Sequence, residues 1–167
     1  MRRVKSLVCD EDGAELVEFA LSATIFFTLI FGIMEFCLVI YADNFVAIAA
    51  QQGTRYAMVR GSDWTSSCAS TSSYGCEVTA SDVQNYILGL ERLGLNLTAS
   101  NITVTWPGTT AAGANAGCAA SPHGQGCQVK VTVSYTFSLR IPFFSATIPY
   151  FSASIPFSST SIETIQN

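Results

Sequence analysis

The chain of 167 residues carries 12 acidic and 8 basic side chains for a net charge of -4, with 49% hydrophobic and only 12% charged residues. Soluble domains usually carry about 25% charged residues, so this one has roughly half the expected charge. A chain this apolar can bury enough surface to offset its ordering entropy, which excludes disorder. The acidic balance, with no Lys/Arg cluster beyond Arg2, Arg3 and Lys5, excludes nucleic acid as a general partner.

In chain order, the basic cluster is followed by Asp10-Glu11-Asp12-Gly13-Ala14-Glu15-Leu16-Val17-Glu18-Phe19, and then by an apolar run from Phe19 to Tyr41. Within that run Glu35 is the one charged side chain. At ~1.5 Å per helical residue its length is ~35 Å, enough to cross a ~30 Å hydrocarbon core with some tilt. A cleaved secretory signal, the competing reading, would have an apolar region of only ~7–15 residues. Its possible A-x-A site, Ala47-Ile48-Ala49, lies well beyond the run. The basic residues before the run, with Arg55 the first after it, put the N-terminus in the cytoplasm and residues from about 42 onward outside it.

Past Tyr41, residues 42–60 are Ala-rich with no Pro and one Gly, so the helix is expected to continue beyond the bilayer, ending at Gly61. Ser62 to Gly75 is a Ser/Thr-rich loop. A second helix is signalled by Thr79 or Ser81 as N-cap, Asp82 in the first turn, and Val83, Tyr86, Ile87, Leu90 and Leu93 at helical spacing, with Gly94 as C-cap.

The period then changes to two. Ile102, Val104 and Trp106 alternate with Thr103 and Thr105, and Val129 to Ile141 alternate apolar with polar without a break, the pattern of a half-buried strand. A third strand is expected at about Ile155 to Thr164. The fold class is therefore α+β: a long N-terminal helix, a short second helix and a small antiparallel sheet of about three strands. Between the last two strands a seven-residue repeat begins at Ile141, Ile148 and Ile155, each time followed by Pro, which forbids a coiled coil there. It is either an extended connection folded onto the sheet or, through Phe143, Phe144, Tyr150 and Phe151, an aromatic patch for the bilayer surface or a partner.

Six cysteines fall into three settings. Cys9 would be cytoplasmic and Cys37 intramembrane. Cys68 with Cys76, and Cys118 with Cys127, are local pairs in loops on the side expected to be oxidising, which favours disulfides. The rival reading, a metal site combining these thiols with His123, is at odds with the x2 to x4 spacing usual for zinc. His123, between Pro122 and Gly124, reads as a solvated loop residue. No catalytic constellation and no cofactor motif is visible: there is one His, and the Gly-rich stretches lack the strand-Gly-helix context of a phosphate loop.

The basic leader, the acidic-Gly junction, Leu16-Val17-Glu18-Phe19-Ala20-Leu21 entering the helix, Phe31-Gly32-Ile33-Met34-Glu35-Phe36 near its end, and Gln52-Gly53-Thr54-Arg55 together resemble the TadE-like family of pseudopilins in tight-adherence (Flp-type) pilus assembly. The resemblance covers about residues 2–60. It implies a cut by a prepilin peptidase between Gly13 and Ala14, which divides the chain into a leader (1–13), a transmembrane helix (14–41) and an extracytoplasmic α+β domain (42–167). It also implies a bacterial inner-membrane location with the N-terminus cytoplasmic. The implied partners are the peptidase, other pilin and pseudopilin subunits, the inner-membrane assembly platform and membrane lipid. Ala14 stands where ordinary type IV pilins have Phe, which puts methylation of the new amine in doubt.

Physical chemistry gives the two acids distinct expectations. Glu18 would be the fifth mature residue, in the first helical turn, where a carboxylate is favoured by the helix dipole, and beside Phe19 at the lipid boundary, where an unpaired charge is costly and marks function. The new α-amine of Ala14, in the same chain or a neighbour, is its obvious partner for setting helix register in assembly. Glu35 lies ~25 Å further along and about 100° around the axis. It either reaches water at the outer edge of the membrane or contacts another subunit. Leu16, Val17, Ala20, Ala23 and Phe27 form a side with small residues that permits close helix packing. The expected function is that of a minor pseudopilin or assembly factor; the alternative is an uncleaved membrane-anchored binding module.

Overall fold

The structure, a computed structural model, describes residues 11–62, 77–90, 95–138 and 154–166. The cluster Arg2, Arg3 and Lys5, the cysteines Cys9, Cys68 and Cys76, Gly94, and the first two units of the Ile-Pro repeat with their four aromatic residues lie outside them.

Helix α1 runs from Glu11 to Met58 without a break. Up to Val39 it belongs to one compact unit, and from Ile40 onward to a second, which also holds the rest of the described chain apart from Ser138. In the first unit most apolar side chains are exposed, Leu16 at 70%, Phe19 at 73% and Ile25 at 70% among them, while Ile30, Phe31 and Val39 are half-buried. The helix is long and apolar enough to cross a membrane, and its most apolar stretch has a mean hydropathy of 2.3 with none of it buried. Small polar residues are accommodated by bonding back along the helix, the Thr24 hydroxyl donating to Ala20 O and that of Thr28 to Thr24 O.

In the second unit the same helix has a buried face. Ala42, Val46, Ala49, Ala50, Gly53, Thr54 and Ala57 recur at spacings of three and four and are all buried. These residues are small, so the helix axis comes close to its neighbours. The Thr54 hydroxyl, fully buried, donates to Ala50 O at 2.6 Å, so its own donor is satisfied within the helix.

Helix α2 spans Ala80–Gly89. Thr79 is its N-cap and forms a capping box: Asp82 N donates to Thr79 Oγ1 at 3.3 Å, and Thr79 N donates to Asp82 Oδ2 at 2.9 Å. Its C-cap is Leu90, and Leu93 lies outside the described residues. Its buried face is Val83 and Ile87. The Gln84 side chain donates to Ile102 O at 2.9 Å and ties it to the sheet.

The main sheet has three strands in the order β1 (Ile102–Thr105), β4 (Gln128–Ser138), β5 (Ser154–Thr164). The α+β architecture and the small antiparallel sheet agree with the sequence reading. Strand β1 pairs antiparallel with β4 from Ile102 opposite Val133 to Thr105 opposite Lys130. On β4 Val129, Val131 and Val133 are buried, each separated by a more exposed residue, as the alternation requires. Strand β5 contains the third Ile-Pro unit; Pro156 is tolerated because β5 is an edge strand, where a missing N–H costs no central ladder bond. A two-residue hairpin, β2 (Thr109–Thr110) with β3 (Gly113–Ala114), and a short helix α3 (Ala116–Ala120) fill the connection between β1 and β4. The core is one cluster joining the small-residue face of α1 to Val83 and Ile87 of α2, Ile102 of β1, the three valines of β4 and Ile165.

Candidate functional site

The residues singled out at the start of α1 are arrayed along a single exposed helix. Gly13, Ala14, Glu15 and Glu18 are all exposed, and a side chain at Gly13 would meet nothing within 4 Å. The bond from Gly13 to Ala14 lies in the first turn of α1, where backbone N–H groups have no partner within the helix. Neither Glu18 nor Glu35 forms an ion pair among the described residues. Glu35 is half-buried. The structure thus keeps the two acids on different faces and brings neither to the other.

The stretch Gln52-Gly53-Thr54-Arg55 has a packing role that spacing alone does not reveal. A Cβ on Gly53 would lie 2.5 Å from Ile87 Cδ1, 3.0 Å from Ile87 Cγ1 and 3.4 Å from Val131 Cγ1. Gly53 is therefore the point where α2 and β4 both approach α1, and glycine is there for space rather than for backbone freedom. Next to it, Tyr56 stacks on Tyr86 with centroids 4.3 Å apart, and the Arg60 guanidinium sits 4.0 Å above the Tyr56 ring.

Cys118 and Cys127 are joined by a disulfide. With both thiols consumed, His123 has no thiolate there with which to bind a metal. His123 is also not the solvated loop residue its Pro-Gly surroundings suggest. Its ring stacks on Trp106 with centroids 4.2 Å apart, its Nδ1 lies 2.9 Å from Glu77 Oε1, and its side chain is only 20% exposed. Its backbone carbonyl accepts from Ser62 N at 2.9 Å. Sequence proximity could not reveal this role, because Ser62, Glu77 and Trp106 are brought together only by the fold. Short loop closure of this kind contributes about 2–3 kcal/mol in the chain-entropy description. Replacing Cys118 and Cys127 together by serine is accordingly expected to lower the unfolding free energy by about that amount, read by urea denaturation of the detergent-solubilised chain. An unchanged midpoint would show that the loop is held by other contacts.

Cys37 is free and exposed. A groove of about 490 Å³ opens along α1 beyond Tyr41, lined by Tyr41, Asn44, Phe45, Ile48, Ala49 and Gln52 with Leu90 of α2.

Residues 13–55 match the family model described as TadE-like protein. No curated protein and no solved structure matches the chain. The matched segment begins at Gly13 and closes at Arg55, so it covers the exposed apolar half of α1 and the small-residue face through Gly53 and Thr54. A TadE-like region suggests involvement in a tight-adherence pilus.

Proposed function

We propose that the chain is a minor pseudopilin or assembly factor of a tight-adherence pilus system, anchored in the inner membrane by residues 14–41 and processed by a prepilin peptidase after Gly13. The observation that carries this reading is the form of α1. One unbroken helix begins at an acidic-Gly junction, stays apolar and mostly exposed to Val39, and then becomes the scaffold of an α+β unit. A helix that is lipid-compatible at one end and core-forming at the other can anchor a domain before assembly and pack against other subunits after it.

Local chemistry supports the cut at Gly13. Glycine is about 1 kcal/mol poorer than alanine in a helix, which lowers the cost of presenting that turn in an extended form to a peptidase. Cleavage would leave Ala14 as a free amine at the start of the helix, with Glu18 one turn on. The Arg2, Arg3 and Lys5 cluster would be removed after setting the orientation. The role of the protein is then structural: its helix docks with other pilin helices, and the outer domain makes the specific contacts with the pilus assembly platform and neighbouring subunits.

Intact mass measures this directly. Co-expression with an active prepilin peptidase is expected to remove Met1 to Gly13, and Gly13→Leu is expected to leave the chain at full length. Persistence of the full-length mass with the peptidase present would replace this reading with that of an uncleaved anchored binding module.

A further inference from the structure

We propose that the side of α1 formed by Thr28, Phe31, Glu35 and Val39 is covered by the chain's own segment 139–153, which carries the first two units of the Ile-Pro repeat, at the outer boundary of the membrane. These four residues follow one another at spacings of three, four and four, one side of a helix, and all four are half-buried. Residues of the same kind elsewhere in the membrane half of α1 are not. Phe27 is 51% and Phe36 64% exposed where Phe31 is half-buried, and Val17 is 61% exposed where Val39 is half-buried. Glu15 and Glu18 are exposed where Glu35 is half-buried. A helix shields like side chains about equally with its own turns, so the difference requires cover from outside the helix.

Three features identify the segment. The first is its place in the chain. Ser138, the last residue of β4, belongs to the same compact unit as α1 up to Val39, and it is the one described residue of that unit outside α1. Strand β5 begins at Ser154, so the fifteen residues between leave the sheet at this unit and return to it. Out and back they reach at most ~25 Å, and Phe31 lies only ~12 Å along α1 from Val39. The second is composition. The segment has no acidic residue, and its one charged side chain, Arg140, is opposite in sign to Glu35. Nine of its residues are hydrophobic, which suits a segment with lipid on one side and α1 on the other, and Pro142 and Pro149 have no N–H to leave unpaired there. The third is the length of the anchor. Residues 14–41 make a helix of ~42 Å, about 12 Å more than the ~30 Å hydrocarbon core takes up. The last two turns, which hold Glu35 and Val39, are therefore open to cover by protein, at the height where aromatic side chains such as Phe143, Phe144, Tyr150 and Phe151 are favoured. Glu35 is then shielded from lipid by its own chain, without a second subunit.

This inference rests on α1 anchoring the chain in the membrane but not on cleavage, because every residue it names lies after Gly13. The test uses the full-length chain in native membranes, with Phe31 or, as control, Phe36 replaced by the photoreactive benzoylphenylalanine. Illumination and peptide mapping are expected to join position 31 to residues 139–153 of the same chain, at monomer mass and at least about tenfold more than position 36. Changing Phe143, Phe144, Tyr150 and Phe151 together to serine is expected to reduce that product by a similar factor, with the chain still in the membrane fraction and Cys118 still joined to Cys127. Where that variant fails to fold, the map of the unsubstituted segment decides by itself. Equal yield from the two positions would overturn the proposal. So would insertion of position 31 mainly into lipid, into a second copy or another protein, or into the chain outside 139–153. The same product from the Gly13→Leu chain keeps the inference even if no cut occurs, which separates it from the processing reading.

Discussion

Gly53→Val is expected to lower the unfolding free energy by about 3 kcal/mol, a large share of the about 5–15 kcal/mol by which a domain stays folded. The position is helical, so on propensity alone any side chain should improve it, alanine by about 1 kcal/mol. Packing reverses the sign. The first added carbon already lies 2.5 Å from Ile87 Cδ1 and 3.0 Å from Ile87 Cγ1, and Ile87 is fully buried, with no open side to turn towards. Overpacking of this kind costs about 1–3 kcal/mol, so alanine should come out mildly destabilising. Valine adds two further methyl groups, one of which is driven towards Val131, the next nearest neighbour at 3.4 Å.

A double-mutant cycle isolates the contact. Ile87→Val removes the Cδ1 atom that the new Cβ meets, at its own cost of about 0.5–1.5 kcal/mol. Gly53→Ala combined with Ile87→Val should therefore be more stable than the sum of the single changes predicts, by about 1 kcal/mol. Urea denaturation of the four chains in detergent gives the coupling, and strict additivity would show that α2 shifts bodily instead of being held against α1 at this point.

How far each element can be read from sequence depends on whether its cause is local. The alternation from Val129 onward is a property of neighbouring residues, and β4 appears where it is expected, with Val129, Val131 and Val133 buried. From Tyr135 the inward residues are less covered, because the pairing with β1 stops at Val133, and no pattern within β4 could announce that. The Thr79-Asp82 capping box is likewise local and legible.

The β2–β3 hairpin and α3 are not legible. Their stretch is Gly- and Ala-rich without period, and they exist because Gly108 and Gly113 take φ of 69° and 119°, and because the Asn115 side chain accepts from Gly117 N and Cys118 N. The candidate site divides in the same way. The apolar span, the acids and the Gly13 junction are written in consecutive residues. Gly53 and His123 acquire their roles only from Ile87, Val131, Trp106 and Glu77, which are distant in the chain. The groove needs Leu90, whose position follows from where α2 stops.

Glu18→Gln is expected to leave cleavage after Gly13 intact while reducing piliation by at least about tenfold. The substitution keeps the size of the side chain, removes its charge and turns one acceptor oxygen into an NH2 donor, so an effect on assembly cannot be assigned to packing. In the proposed processed chain the charge would have two favourable interactions: with the dipole at the new helix N-terminus, about 0.3–1 kcal/mol, and with the α-amine of Ala14, which would gain strength as assembly removes water from around the pair. Glu18 has no ion pair among the described residues, so its proposed partner comes only with cleavage and assembly. Intact mass of the membrane fraction checks the cut, and counting pili on cells complemented with the variant checks assembly. Glu15→Gln is the control, since Glu15 is equally exposed within the same turn and would be the second mature residue. A general requirement for acid at this end of the helix would make the two variants alike. A pairing that sets register requires Glu18→Gln to fail while Glu15→Gln assembles, and normal piliation by the Glu18 variant would dismiss the pairing altogether.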